Sequence, residues 1–256
     1  MKVSIITPVY NDPRVSEALK SIRKQEGVSS PEIIVVDGGS TDKTSEILEN
    51  LRDNIDVLIR EPDEGIYDAM NKGIQKASGD IIGVLNADDQ YQDEYVLRDV
   101  LLKMEKTGAQ TCYGDLVYVD NTDDVVRYWN SGPFNQRRVF YGWMPPHPTF
   151  FVKKEVYENH GLFDLDLQIA ADYELMLRLL LKNNVSTTYI DRILVRMAVG
   201  GKSNESMLTI IKANWEVVKS WRKNDLKGGL LVGGIKPLRK VPQYVRKPAR
   251  KVQRSG

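Results

Sequence analysis

With 256 residues, 41% of them hydrophobic and 28% charged, the chain has the make-up of an ordinary soluble protein with a large core, which excludes disorder throughout and leaves little room for two full domains. The net charge of +1 hides an asymmetry, because Lys227 to Gly256 holds nine Lys or Arg and no acid, so the body of the chain is acidic. Such a body offers no uniformly positive face, which argues against nucleic acid as a partner. Two His and one Cys rule out a zinc site of the usual ligand set, and Cys112, in an apolar run, reads as a buried structural thiol.

Met1-Lys2-Val3-Ser4 leads directly into a short apolar strand, too short for a signal-peptide core or a membrane span, so a cytoplasmic location is expected. Val3 to Thr7, ended by Pro8, and Glu32 to Val36, before Asp37-Gly38-Gly39, are β-branched runs of buried strands. A helix over roughly Pro13 to Gln25 buries Val15, Leu19 and Ile22, and a second follows the capping sequence Ser40-Thr41-Asp42. Asp56 to Ile59 is a third strand, Gly65 to Ala77 a third helix, and Ile81 to Leu85 a fourth strand ending at Asn86-Ala87-Asp88-Asp89. This β-α alternation predicts an α/β fold with a mostly parallel central sheet and helices on both faces. After a helix near Glu94 to Lys106, Thr111 to Val119 and Val125 to Trp129 suggest a small antiparallel excursion. A Pro-rich loop (142–148), a helix from about Ala171 to Leu181, a β pair at Thr187 to Asp191 and Ile193 to Val199, and an amphipathic helix from Ser206 to Trp221 complete the series. The expected organisation is one domain over 1–205, with a nucleotide-binding half (1–105) and an acceptor-binding half (106–205), then a C-terminal helix and basic tail (206–256).

Ligands of open α/β sheets bind beyond the carboxyl ends of the strands, where this sequence puts Pro8-Val9-Tyr10-Asn11, Asp37-Gly38-Gly39-Ser40 and Asn86-Ala87-Asp88-Asp89. Each is also ordinary turn chemistry. The Asp88-Asp89 pair is sharper, since adjacent carboxylates without a nearby Lys or Arg in sequence repel unless a cation or solvent neutralises them. Hard oxygen donors suit Mg²⁺ or Mn²⁺, with a solvated capping pair as the other reading. No G-x-G-x-x-G follows the first strand and no Walker A loop occurs.

The ordered runs Val3-Ser4-Ile5-Ile6-Thr7-Pro8-Val9-Tyr10-Asn11, Ile34-Val35-Val36-Asp37-Gly38-Gly39-Ser40-Thr41-Asp42 and Gly79 to Asp89 together resemble the family 2 glycosyltransferases of GT-A fold. The resemblance extends over about residues 3 to 200. It implies inverting transfer from a nucleotide-diphospho-sugar, most readily a UDP-sugar, with a divalent metal, Mn²⁺ or Mg²⁺. By that resemblance Asp37 would accept a hydrogen bond from the nucleobase, Thr7, Pro8 and Tyr10 would shape its pocket, Asp89 would bind the metal and Asp88 would lie near the donor ribose or sugar. Asn86 stands at the first position of the D-x-D-type motif, where Asp is commoner. The run from Glu61 to Gly73 resembles a subgroup in which Asp63 and Asn71 lie near the donor, while Met70 stands where many relatives have Arg.

Inverting attack by a hydroxyl needs a carboxylate base on the acceptor side. Leu175, Met176 and Leu179 follow Asp172 at helical spacing, so Asp172 lies on the inward face, whereas Glu174 can pair with Arg178. The resemblance puts the catalytic base at Asp172, with Ala171 replacing the usual Glu; a helix-capping carboxylate is the alternative. His147 lies in a loop that faces the acceptor in the family, and Trp143, Phe140 and Tyr141 are candidates to stack on sugar rings. Gly200-Gly201-Lys202-Ser203 reads as a lid near the diphosphate or as a plain turn. The segment from Trp221 to Gly256, with Leu230, Leu231, Val232 and Ile235 among its cations, suits an anionic cytoplasmic membrane surface and a lipid-linked glycan acceptor. A nucleotidyltransferase that makes sugar nucleotides, and a non-catalytic nucleotide-sugar or glycan-binding module, are the competing functions.

Overall fold

The computed structural model describes residues 1–199, 207–229 and 232. β1 (Val3–Val9), β2 (Glu32–Asp37), β3 (Val57–Arg60) and β4 (Ile81–Val84) lie in the spatial order β3-β2-β1-β4, all parallel, and are linked by α1 (Val15–Arg23), α2 (Thr44–Asn50) and α3 (Ile66–Lys76). The strands are continuous apolar runs because both faces are covered, Ile33, Ile34, Val35 and Val36 all being fully buried. The chain continues through β5 (Asp89–Tyr91), α4 (Val96–Thr107), β6 (Thr111–Val119), β7 (Val125–Trp129), α5 (Gln136–Val139), β8 (Phe151–Lys153), α6 (Lys154–His160), α7 (Ala171–Leu177), β9 (Thr187–Ala198) and α8 (Met207–Lys223). The second half of the sheet is mixed: β8 joins β4 and β6 antiparallel, β9 lies parallel to β6, and β5 and β7 form antiparallel margins on β9 and β6. The expected α/β architecture is therefore present.

Alternation along each strand divides the core in two. Ile5, Ile33 and Val35 face Leu19, Leu48 and Val100 of α1, α2 and α4, whereas Ile6, Ile34 and Ile82 face Met70, Val156, Leu175 and Trp221 of α3, α6, α7 and α8. Gly73 lets α3 press onto β1, since a Cβ there would stand 2.4 Å from Ile6 Cγ2. α8 begins after the expected domain end at 205, yet Val217 and Trp221 are buried in the same core and Trp221 Nε1 donates to the Tyr173 hydroxyl at 2.9 Å. No helix among the described residues is long and apolar enough to cross a membrane. Cys112 is fully buried, which pushes its thiol up to about 12.

Two expectations change. The β pair at Thr187 to Asp191 and Ile193 to Val199 is one strand, β9, because both halves pair in parallel with β6; register shifts around Asp115, rather than a turn at Asp191-Arg192, absorb the surplus residues. The helix expected to reach Leu181 is α-helical only to Leu177 and widens to a π-helical turn over Arg178–Lys182. Its Glu174–Arg178 pair, at 3.0 Å, is buried, and the guanidinium also binds the carbonyls of His160, Gly161 and Leu162. The short β8 and α6, between the Pro-rich loop and α7, carry too few residues to display a period.

Candidate active site

Strand order reverses between β1 and β4, the position where open α/β sheets form a ligand crevice. The two strands pair only as far as Ile6 and Val84, with a last bond from Leu85 N to Ile6 O at 3.0 Å. Pro8 marks why they part. On a parallel strand alternate peptides face the same neighbour, so Pro8, like Ile6, faces the β4 side, where its missing N–H forfeits no ladder bond.

Asp37 closes β2 and is fully buried. Its Oδ1 accepts from Ser40 N at 2.8 Å, while Oδ2 receives no hydrogen bond and has the Arg60 guanidinium 3.3 Å away. Thr7 Oγ1, on the neighbouring strand, is likewise buried without a partner. Asp63 joins them: a Cβ on Gly38 would stand 2.3 Å from Asp63 Oδ2, so glycine is what permits this approach. Asn11 ties the loops together, its side chain accepting from Thr41 N at 2.8 Å and its own N–H donating to Ser40 Oγ at 2.9 Å. Tyr10 stands at the rim, 51% exposed, and Pro8 is buried beneath it.

Past the end of β4, Asp89 opens β5 and is fully buried. Its Oδ2 accepts from Asn86 Nδ2 at 2.9 Å, whereas Asp89 Oδ1 and Asn86 Oδ1 have no partner. Burial, reinforced by the charge of Asp88, pushes the Asp89 carboxyl well above the usual range, against the opposing effects of Asn86 and Arg14. Asp88 is also pushed up by burial, opposed by Arg14. Here the structure corrects the sequence argument, because the acidic pair does have a basic neighbour: Arg14 Nη2 lies 3.5 Å from Asp88 Oδ2 and 2.5 Å from Asp12. The β1–α1 loop brings it across the crevice, a proximity no local window of sequence displays. Among the described residues no three His, Cys, Asp or Glu converge into a closed metal cage. Two adjacent carboxylates and unpaired buried oxygens nonetheless fit a hard divalent ion that completes its shell with substrate phosphates.

A second group gathers at the start of α7. Asp172 Oδ1 accepts from Tyr173 N at 2.8 Å and from the Tyr67 hydroxyl at 3.2 Å, and that hydroxyl also reaches Ile169 O at 2.8 Å. Burial and then the Asp172 charge raise the Tyr67 hydroxyl well above its ordinary value, so it stays a donor. His147 is close enough to sense Asp172: burial lowers its pKa, the Asp172 charge partly opposing, which favours the neutral imidazole. Its ring stands edge-on to Phe163, on which Tyr67 stacks, both at 5.5 Å.

Two expected contacts look different in place. Trp143 is buried, donates to Ser131 O at 3.0 Å and packs between Tyr113 and Phe134 under Arg138, so its faces are taken up by the core and it is no platform for a sugar. Tyr141, 57% exposed, and Phe140, 39% exposed, are the open rings of that loop. Asn71 spends both ends of its amide on Phe163, donating to its carbonyl and accepting from its N–H, each at 2.9 Å. Arg14, Arg60 and Tyr67 are site residues that sequence reasoning passed over; Tyr67 stood within the quoted run from Glu61 to Gly73. The Gly200-Gly201-Lys202-Ser203 segment and the tail beyond 232 lie outside the described residues.

The α/β sheet, with acidic strand ends at its point of reversal, has the fold of GT-A glycosyltransferases. Residues 4–161 match the model of Glycosyl transferase family 2, and the chain belongs to that family. It is a glycosyltransferase. It is 33% identical over 179 residues to an uncharacterized glycosyltransferase of Mycobacterium tuberculosis, covering 69% of this chain and 68% of the relative. A PGL/p-HBAD biosynthesis glycosyltransferase of Mycobacterium bovis is 29% identical, with 78% of each chain covered. Among solved structures, Staphylococcus aureus TarS residues 1–349 with UDP-GlcNAc superposes with a TM-score of 0.67 at 20% identity, over 85% of this chain and 67% of that one. The mannosyltransferase PcManGT of Pyrobaculum calidifontis, in complex with GDP-Man and Mn²⁺, gives a TM-score of 0.65 at 16% identity, over 95% and 73%. The chain spans 40% of the longer TarS structure.

Proposed function

We propose that the protein transfers a sugar, with inversion, from a nucleotide-diphospho-sugar to an acceptor hydroxyl in polysaccharide or lipid-linked glycan synthesis. The observation that carries this reading is the convergence, at the reversal of the sheet, of buried and unpaired oxygens from Thr7, Asp37, Asn86 and Asp89. Unpaired buried polar atoms are costly, and grouped at a strand-end crevice they point to a ligand that completes them.

Asp37 Oδ2 beside Arg60 sets an acceptor next to a donor, an arrangement that can take the N–H and carbonyl of an imide edge. A UDP-sugar satisfies that edge, in keeping with the UDP-GlcNAc complex of TarS. Tyr10 offers its ring to the base, and Asp63 and Asp88 face the ribose and sugar. In the reaction the acceptor oxygen forms a bond to the anomeric carbon as the bond to the diphosphate oxygen breaks, and the electron pair leaves with the diphosphate. The hydroxyl proton passes to Asp172 Oδ2, which no protein donor among the described residues engages, while Tyr67 and the Tyr173 amide hold Oδ1. Neutral His147 lies beside it as an acceptor-side contact. Asp89, with Asp88, would hold a Mn²⁺ or Mg²⁺ ion, whose charge offsets that developing on the departing diphosphate.

The test is a panel of nucleotide sugars incubated with the protein and Mn²⁺. Metal-dependent release of UDP, faster than release of GDP, is expected. Binding without turnover of any donor would favour a non-catalytic module, and synthesis of sugar nucleotide from a nucleoside triphosphate and a sugar phosphate would favour a nucleotidyltransferase.

The same reading places the protein at an anionic membrane surface. On α8, Ile210, Ile211 and Trp215 are 46%, 59% and 60% exposed, with Lys212 and Arg222 beside them, and the nine cations after Asp225 follow in the sequence. Each cation contributes about 1 kcal/mol near such a surface. Full-length protein is expected to float with vesicles containing phosphatidylserine, and Trp215→Ala to weaken that flotation. A full-length protein that ignores the vesicles as completely as one ending at Asp225 would remove the membrane from this proposal.

A further inference from the structure

The helix that carries Trp215 outward carries the neighbouring Glu216 inward. Lys212, Glu216, Lys219 and Lys223 recur at helical spacing on α8 and form one polar stripe. That stripe grips the segment leading to Asp172. Lys212 Nζ binds Gln168 Oε1 at 2.5 Å, Lys219 Nζ binds Asp166 O at 3.2 Å, and Lys223 Nζ binds Asp164 and Asp166. Glu216 sits at its centre, 5% exposed, and its carboxylate accepts three consecutive backbone N–H groups: Gln168 at 3.2 Å, Ile169 at 2.8 Å and Ala170 at 2.9 Å.

A buried carboxylate that takes three backbone donors in a row fixes the path of that backbone, since shifting the segment would strand a charge out of water. Ala170 is the residue from which α7 starts, and Asp172 lies two positions on. From α3 the Tyr67 hydroxyl shares its one proton between Ile169 O, at 2.8 Å, and Asp172 Oδ1, at 3.2 Å. The segment is thus pinned between α3 and α8, and the Asp172 carboxylate has one defined direction.

We infer that Glu216 is a positioning residue for the acceptor-side base, so that α8, which lies beyond the residues matched by the family, is an integral part of the active site. This rests on the reading of Asp172 as the base. Glu216 touches neither donor nor acceptor; it sets where Asp172 points.

The experiment compares Glu216→Gln, Asp172→Asn and the double variant, with Val217→Ala as a control that removes core packing from the same helix without touching the segment. Gln keeps the shape of Glu but sets N–H donors against the backbone donors it should accept. Misplacing a catalytic group by about 1 Å costs on the order of a hundredfold, so Glu216→Gln is expected to lower kcat about ten- to a hundredfold. KM for the donor should stay within about twofold, and Val217→Ala should keep its kcat even where it melts lower. In the Asp172→Asn background Glu216→Gln should cost little further rate, because the group it positions is already disabled. Near-native kcat in Glu216→Gln, with Asp172→Asn impaired, overturns the inference alone; so does an equal, fully additive loss in the double variant. Near-native activity in Asp172→Asn overturns the reading beneath it instead. Should Glu216→Gln fail to fold, Glu216→Asp supplies the same comparison, because its shorter carboxylate keeps the charge and shifts the segment.

Discussion

Asp172→Asn is expected to slow sugar transfer by at least about a hundredfold while leaving donor affinity and melting temperature near native. Asn retains an oxygen to accept from Tyr173 N and the Tyr67 hydroxyl, so the contacts that fix the side chain survive. What it loses is the ability to take a proton at neutral pH. Loss of a general base typically costs ~10²- to 10⁴-fold in rate, whereas loss of a carboxylate at a helix start costs only about 0.5 to 2 kcal/mol of stability. A purely structural role, whose contacts Asn preserves, would spare the rate as well as the melting temperature, so the rate is what separates the two readings. Steady-state kinetics, thermal melting and donor titration on one preparation separate the two. Near-native turnover in a folded Asp172→Asn protein would move the base elsewhere, and His147, neutral and within range of Asp172, is the residue to replace next.

The parallel half of the fold was legible because its signals are local. Four apolar runs, each followed by a turn and an amphipathic helix, leave little choice once both sheet faces are covered, and the strand-end residues follow from that order. What remained hidden depends on contacts distant in sequence. β9 looks like a hairpin because Asp191-Arg192 interrupts an apolar pattern, and only pairing with β6 shows that the strand continues. Trp143 looks like a sugar platform because it lies among Pro and aromatic residues in a loop, yet its indole N–H finds Ser131 O and the ring turns inward. Arg14 and Arg60 enter the site from the ends of a loop and a strand, and Glu216 reaches the segment before Asp172 from the middle of a helix. Charge on a helix face reads as solvation until its partner is known. On α8 the spacing of Lys212, Glu216, Lys219 and Lys223 was visible, but the backbone segment it grips was not.

Chelation of divalent metal is expected to abolish transfer and weaken nucleoside-diphosphate binding, and Asp89→Asn to do the same. A metal that neutralises a leaving diphosphate supplies several kcal/mol of charge stabilisation, so the loss should be on the order of a thousandfold or more. Stability should move the other way. Asp89 is fully buried with Oδ1 unpaired, and a buried carboxylate lacking its counter-charge destabilises the fold that carries it. Asn keeps the volume and removes that charge, so the metal-free Asp89→Asn protein is expected to melt at or above the native temperature while being inactive, the compromise typical of a binding site. Because burial and the charge of Asp88 raise the pKa of the Asp89 carboxyl, the proton competes with the metal for this carboxylate, and apparent metal affinity should rise as pH rises. Titration of Mn²⁺ at several pH values, alongside melting curves of both proteins without metal, gives all three readouts. Full activity in excess chelator, with Asp89→Asn equally active, would take the metal out of the reaction and leave Arg14, beside Asp88, as the positive charge nearest the acidic pair.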